Sequence, residues 1–288
     1  MTSRSDTPLA AEQSMPTIHP TAVIEPGAQI ADDAVIGPLC HVGPEVAIGP
    51  GTRLISHVYI TGRTTVGSRN TFWPHSSIGA DPQDLKFQGE DSQLIIGDDN
   101  EIRESVTIHK GTVNGGGTTR IGNCNLFMAG VHVAHDCIIG DHVIVANAVQ
   151  LAGHVHIQDH ATVSGASAVN HYVTIGQYAF VGGMTRVVND APPYMIVEGN
   201  PARIRGVNVI GLERSRLPAQ TIGHLKNAYR RLFRINPNGE GEPIRPQDRS
   251  PQSTSPTMAQ NIDQLEREYG QDHCIGTLIT FIRDRSVG

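Results

Sequence analysis

Three residues suited to acid–base chemistry, His132, His135 and Asp136, fall within the ten-residue stretch VHVAHDCIIG. A neutral imidazole takes up a proton near working pH. A carboxylate beside it fixes its tautomer and supports the imidazolium that forms. The same residue types offer a second chemistry, because three histidines and one open position would make a hydrolytic zinc site. Adjacent side chains on an ordinary strand point to opposite faces. Asp136 therefore reaches the His135 ring only where the strand bends. The chain has 14 histidines, and most, such as His19, His41, His57 and His75, read as polar residues at the corners of a repeating structure.

That structure shows as a period of six. From Ile18 an apolar residue recurs at Ile24, Ile30, Ile36, Val42, Ile48, Leu54, Ile60, Val66, Phe72 and Ile78, often followed by Gly. The count breaks at DPQDLKFQGEDSQ and resumes at Ile96, Ile102 and Ile108. It breaks again at HKGTVNGGGTTR and then runs from Ile121 to Val187. Six suits neither a helix nor an antiparallel strand. It predicts a parallel β-helix of short strands, with one inward residue per hexad and Gly, Asn or Asp at the corners. Three hexads would close one triangular coil. The breaks, at about 81–95 and 109–120, are expected to be loops that leave the prism, and loops on a rigid scaffold often carry function.

One coil maps His135 onto Gly153 and His171, and Asp136 onto His154 and Tyr172. One outer face therefore gathers His135, Gly153, His154 and His171, with His132 near a corner. The N–H of Gly153, unobstructed by a side chain, is suited to hold an oxyanion.

Residues 1–16 read as a disordered tail and 17–205 as the solenoid. Residues 206–288 read as a small α-helical C-terminal domain that caps its open end. Helical spacing begins near Leu217, with Ile222, Leu225, Ala228, Tyr229, Leu232 and Phe233. Two shorter helices are expected around 259–269 and 275–285, after a flexible segment at about 236–257 rich in Pro, Gly and Ser.

Composition narrows the class. A net charge of −6 argues against a nucleic-acid binder. No apolar run approaches ~18 residues, so stable membrane insertion is not expected. Four cysteines without a CxxC pair signal neither a zinc knuckle nor a redox motif, and fit reduced thiols in a cytoplasm. The polar start, MTSRSDTPLAAEQSMP, lacks the apolar core of a signal peptide. A cytoplasmic location is the expectation.

Six motifs then occur in order: QDLKF, IRESVTIHKGT, AHDC, LAGHV, PPYMIVEGNPA and GVNVIGLER. Together they resemble the acyl-carrier-protein-dependent UDP-N-acetylglucosamine O-acyltransferases, which catalyse the first step of lipid A biosynthesis. The resemblance spans roughly Thr17 to Arg234. It implies a left-handed parallel β-helix followed by a small α-helical domain, a homotrimer with active sites between subunits, and no cofactor or metal. It implies that His135 of AHDC is the general base for the glucosamine 3-hydroxyl, that Asp136 supports it, and that Gly153 supplies the oxyanion N–H. Asp84, Lys86, His132, His154, Asn170, His171, Asn208 and Arg214 would contact substrate, and Gly183 would sit at the acyl-chain ruler. Acyl carrier protein, UDP-N-acetylglucosamine and further copies of the chain are the implied partners. The basic residues scattered from Arg203 to Arg234 suit docking of an acidic carrier.

The chain departs from the family pattern in three places. Asn170–His171 replaces a His-Gln pair, Ser215 replaces a second arginine, and Ile210 replaces an acidic residue. These changes leave open the acceptor, N-acetylglucosamine or a 3-amino analogue, and acyl-chain length is open as well. The related N-acyltransferases carry an N-terminal uridine-binding domain, for which hexads starting at Ile18 leave no room. A γ-carbonic-anhydrase-like metalloenzyme would need His-x4-His, which no pair of these histidines has. A non-catalytic carrier-binding module is a further alternative.

Overall fold

A computed structural model describes residues 16–233 and 256–285. The expected tail and nearly all of the expected flexible segment at 236–257 lie outside the described residues. Three parallel sheets of eleven, nine and eight strands form the faces of a prism, and successive strands visit the three faces in turn. Most strands are two residues long. Their register shows the coil: His132 pairs with Gln150 and Val133 with Leu151, each with the residue three hexads on. Among the described residues the only antiparallel pair in these sheets joins Met195–Glu198 to Arg203–Val207, where the solenoid meets the helices.

The hexad residues fill the prism; Ile36, Val42, Leu54, Ile60, Phe72, Phe127 and Val145 are all buried. The expectation of one inward residue per hexad is corrected. Ala34, Cys40, Val58, Val131, Val143 and Ala161, each two positions earlier, are buried too. Residues i and i−2 of an extended chain share a face, so each hexad contributes one large and one smaller inward side chain. The smaller one is polar at Thr52, Asn70, Asn100 and Asn125. These four form a ladder. Asn70 N–H donates to Thr52 Oγ1 (3.2 Å), Asn100 N–H to Asn70 Oδ1 (2.9 Å) and Asn125 N–H to Asn100 Oδ1 (2.9 Å).

The corners also differ from expectation. Left-handed backbone is adopted by Leu39, Arg69, His142, Ala148, His160, Tyr178 and Met184, among others. Such a conformation costs roughly 1–2 kcal/mol for an L-residue. Bonds between coils and stacking offset it: His160 N–H donates to Asp141 O (2.9 Å) and Tyr178 N–H to Asp159 O (3.0 Å). Along the same edge the His142 and His160 rings stack at 4.8 Å, and His160 and Tyr178 at 4.5 Å.

The excursions occupy 81–92 and 110–117, shorter than expected because strands Gln93–Ile96 and Thr118–Ile121 rejoin the third sheet early. They lengthen the coils that contain them, so that Thr71 pairs with Glu101 and Thr107 with His132, each beyond the residue three hexads on. Both leave from the edge between the second and third sheets, the edge that also carries His135 and Asp136.

Four helices follow: α1 (Val209–Arg214), α2 (Ala219–Leu232), α3 (Met258–Tyr269) and α4 (His273–Arg285). The short helix α1 was not expected. Asn208 caps it, accepting from Gly211 N–H at 3.1 Å. A capping box of Thr257 and Gln260 starts α3. Leu212, Leu225, Ala228, Leu265, Ile275 and Leu278 form a second core with Tyr194 and Met195 at the end of the solenoid. One of the basic residues, Arg231, is engaged within this domain by Glu268 at 2.8 Å. No helix among the described residues is long and apolar enough to cross a membrane.

Candidate active site

Asp136 sits at a corner with φ +60°. This left-handed turn brings its side chain back toward its neighbour, and its carboxylate Oδ2 lies 2.8 Å from His135 Nδ1. The bend that the pairing requires is thus a property of the corner. Thr119 Oγ1 accepts the Asp136 N–H at 2.8 Å and holds the turn. The carboxylate is fully buried and receives two further donors from the second excursion. Thr112 N–H donates to Oδ1 at 2.8 Å and the Thr112 hydroxyl to Oδ2 at 2.6 Å. Gly115 lies behind it, where a Cβ would come within 2.0 Å of Asp136 Cγ.

The His135 side chain is not openly displayed on an outer face, as its place in the hexad suggested; the residue is 9% exposed. Its ring lies over Gly153. A Cβ at position 153 would stand 2.6 Å from His135 Cε1 and 2.8 Å from Nε2. The flanking N–H groups of Ala152 and His154 donate to Val169 O and His135 O in the inter-coil ladder, whereas Gly153 N–H does not join it. With Nδ1 committed to Asp136, Nε2 is the nitrogen left for a substrate proton.

Two more histidines frame this pair. The His154 ring stands edge-on to His135, centroids 5.2 Å apart, and stacks on Tyr172 at 4.4 Å. Burial is the largest influence on His154 and holds its pKa below the ordinary value, against the pull of Asp136 and Asp84. His132 is not near a corner as expected. It lies in strand His132–Val133, its Nδ1 2.7 Å from Thr107 Oγ1. Its ring meets His109 edge-on at 4.9 Å. Burial lowers the pKa of His132, with His135 adding to the effect. Burial, then repulsion from His132 and His135, pushes His109 down to about 4.

Other residues singled out from the sequence divide into two groups. Asp84, in the first excursion, influences His154 electrostatically, as does His171. Asp84 also organises its own loop, accepting Lys86 N–H at 3.0 Å, while Lys86 is exposed. Asn170 is exposed on the same edge two coils above Ala134. The second group lies apart from His135 within one chain. Gly183 is on the edge between the first and second sheets. Asn208 caps α1 and donates to Tyr178 O at 2.9 Å, and Arg214 is exposed at the end of that helix.

Sequence reasoning missed His109, Thr112, Gly115, Thr119 and Tyr172 as parts of the site. A fixed step of three hexads cannot cross the excursions; the longer step observed, which pairs Ile108 with Val133, places His109 beneath this edge. The motif IHKGT contained the signal without its geometry. Among the described residues, His135, Asp136 and His154 form the one group of three whose donor atoms could hold a metal ion.

Comparison with known proteins agrees with this architecture. A family model described as UDP N-acetylglucosamine O-acyltransferase, domain 2, matches residues 190–245. A bacterial transferase hexapeptide model of six repeats matches residues 118–153. The structure of LpxA from Acinetobacter baumannii is 41% identical, with a TM-score of 0.81, covering 91% of this chain and 95% of that one. UDP-N-acetylglucosamine O-acyltransferase from Moraxella catarrhalis is also 41% identical, with a TM-score of 0.83 and coverage of 93% and 96%. The enzyme from Bacteroides fragilis is 36% identical, with a TM-score of 0.83 and coverage of 93% and 97%.

Proposed function

Because this chain belongs to the UDP-N-acetylglucosamine O-acyltransferase family, acyltransferases built on a left-handed parallel β-helix, we propose that it transfers a 3-hydroxyacyl chain from acyl carrier protein to the glucosamine 3-hydroxyl of UDP-N-acetylglucosamine, the first step of lipid A biosynthesis. The observation that carries this reading is the His135–Asp136 pair, with the His135 ring over Gly153. His135 Nε2 takes the hydroxyl proton as the sugar oxygen attacks the thioester carbonyl carbon. Asp136 supports the imidazolium that results. Gly153 N–H stabilises the oxyanion of the tetrahedral intermediate. Collapse of the intermediate breaks the carbon–sulfur bond, and His135 returns its proton to the departing carrier thiolate.

His109, buried, and His132, half-buried, both with lowered pKa, form an uncharged wall beside the base. Asp84, Lys86, His154, Asn170 and His171 hold the sugar nucleotide along the edge that carries the excursions. Gly183, Asn208 and Arg214 lie away from His135 in one chain, and in this reading an adjacent subunit of a homotrimer supplies them. A neighbouring chain would thereby complete the acyl and nucleotide subsites. Asn170–His171, where the family pattern has His-Gln, leaves the acceptor open between this sugar and its 3-amino analogue.

The test is acyl transfer from a panel of 3-hydroxyacyl carrier proteins to UDP-N-acetylglucosamine and to its 3-amino analogue. His135→Ala is expected to lower kcat by at least ~10²-fold with the best pair. Equal turnover of native and variant protein would remove the general-base role. Absence of turnover with either acceptor would refute the proposed reaction.

A further inference from the structure

The three donor groups of the His135 cluster lie within 4.8 Å of one another and are buried or partly buried. Asp136 Oδ2 is 2.8 Å from His135 Nδ1 and 3.8 Å from His154 Nε2. In a tetrahedral site with bonds of ~2.0 Å, ligand atoms sit about 3.3 Å apart. The two observed spacings bracket that value. We propose that His135, Asp136 and His154 form a binding site for a divalent transition-metal ion of the zinc class, and that the bound ion blocks the base.

The donor set selects the ion. Two imidazoles and one carboxylate suit zinc, cobalt, nickel or copper, whereas magnesium and calcium prefer oxygen ligands throughout. No thiolate joins them, because Cys137 turns into the core and its thiol is directed at Ala152 O, 3.2 Å away. The surroundings hold the donors still. Thr112 anchors the carboxylate through two hydrogen bonds, and Tyr172 stacks on the His154 ring. Such outer-shell support is what fixes ligands around an ion.

Proton accounting gives the consequence for catalysis, which rests on the proposed role of His135; binding itself does not. In the base-competent form Nδ1 carries the proton shared with Asp136 and Nε2 carries the lone pair. An ion at Nδ1 displaces that proton. The neutral ring then keeps its proton on Nε2, so no proton need leave the protein. The lone pair needed for the sugar hydroxyl is thereby lost. Metal and substrate proton compete for one imidazole.

The full chain, stripped with a chelator, is to be titrated with ZnCl2 by calorimetry and with CoCl2 by visible absorption. One ion per chain is expected, with ligand-field bands of a nitrogen–oxygen site. His154→Asn, a residue that tolerates the left-handed corner, should weaken binding by at least about tenfold. His142→Gln should bind as the native chain does, since the stacked His142–His160 pair lies on another edge. Failure of the native chain to bind stoichiometrically, or unchanged affinity in His154→Asn, would overturn the site. Saturating zinc should lower acyl transfer at least about tenfold, with recovery on chelation. Full turnover by zinc-loaded protein would overturn the block. Absence of turnover before any metal is added refutes the proposed reaction instead, and the titration alone then decides the site.

Discussion

At the scale of single residues, the site depends on contacts with almost no slack. Gly153 is the clearest. Its φ is not in the left-handed region, so alanine meets no backbone penalty there and acts only by placing a methyl against the His135 ring. Displacing a catalytic group by about 1 Å can cost ~10²-fold. Gly153→Ala is therefore expected to lose about that much kcat while its melting temperature stays near the native one; native kcat in the variant would show that the ring has room to move. The adjacency of His135 and Asp136 is legible in the sequence, but their hydrogen bond is not. It depends on a left-handed φ at residue 136, imposed by the inter-coil ladder and by the distant Thr119. The roles of Thr112 and Gly115 are hidden for the same reason.

At the scale of elements, the Lys110 side chain joins two excursions on one edge. Lys110, at the start of the second, pairs with Asp81 of the first at 2.9 Å and lies 5.2 Å from the Phe87 ring. It thereby ties the loop that carries Asp84 and Lys86 to the solenoid. Lys110→Met should raise KM for the sugar nucleotide by about tenfold, the combined size of a cation–π contact and a half-exposed ion pair, and leave kcat within about twofold. Lys110→Arg should restore KM, because charge and ring contact both survive. An unchanged KM in the methionine variant would show that the loop holds its place unaided. The hexad period makes the strands and excursions legible, because inward residues cannot be polar at random. The second inward position is less visible, since small and polar residues share it. Helix α1 is too short for a periodic signal and depends on its Asn208 cap.

At the scale of the molecule, the residues implied by motif do not converge in one chain. His135 and Arg214 occupy different places on it, and the proposed cleft needs both. Closed rings of identical chains put each such cleft across a boundary. If so, His135→Ala and Arg214→Ala proteins, each poorly active alone, should complement when unfolded and refolded together. Random assembly would leave about a quarter of the clefts with both native side chains. Mixed assemblies without regained activity would mean that one chain supplies both groups.

The asparagine ladder has a consequence for change in this molecule. Asn70, Asn100 and Asn125 lie in the coils whose step exceeds three hexads, between Thr71 and Glu101 and between Glu101 and Leu126. The Asn70 and Asn100 side chains each carry the register across an interruption, and Asn125 passes it on to Val143 in the next regular coil, so neighbouring coils stay aligned whatever length of chain intervenes. Doubling a flexible loop costs only about 0.6 kcal/mol in closure entropy. Insertions and deletions in either excursion can therefore reshape the recognition surface while the strand that holds His132 and the corner that holds His135 keep their alignment. The scaffold keeps count, and the loops are free to vary.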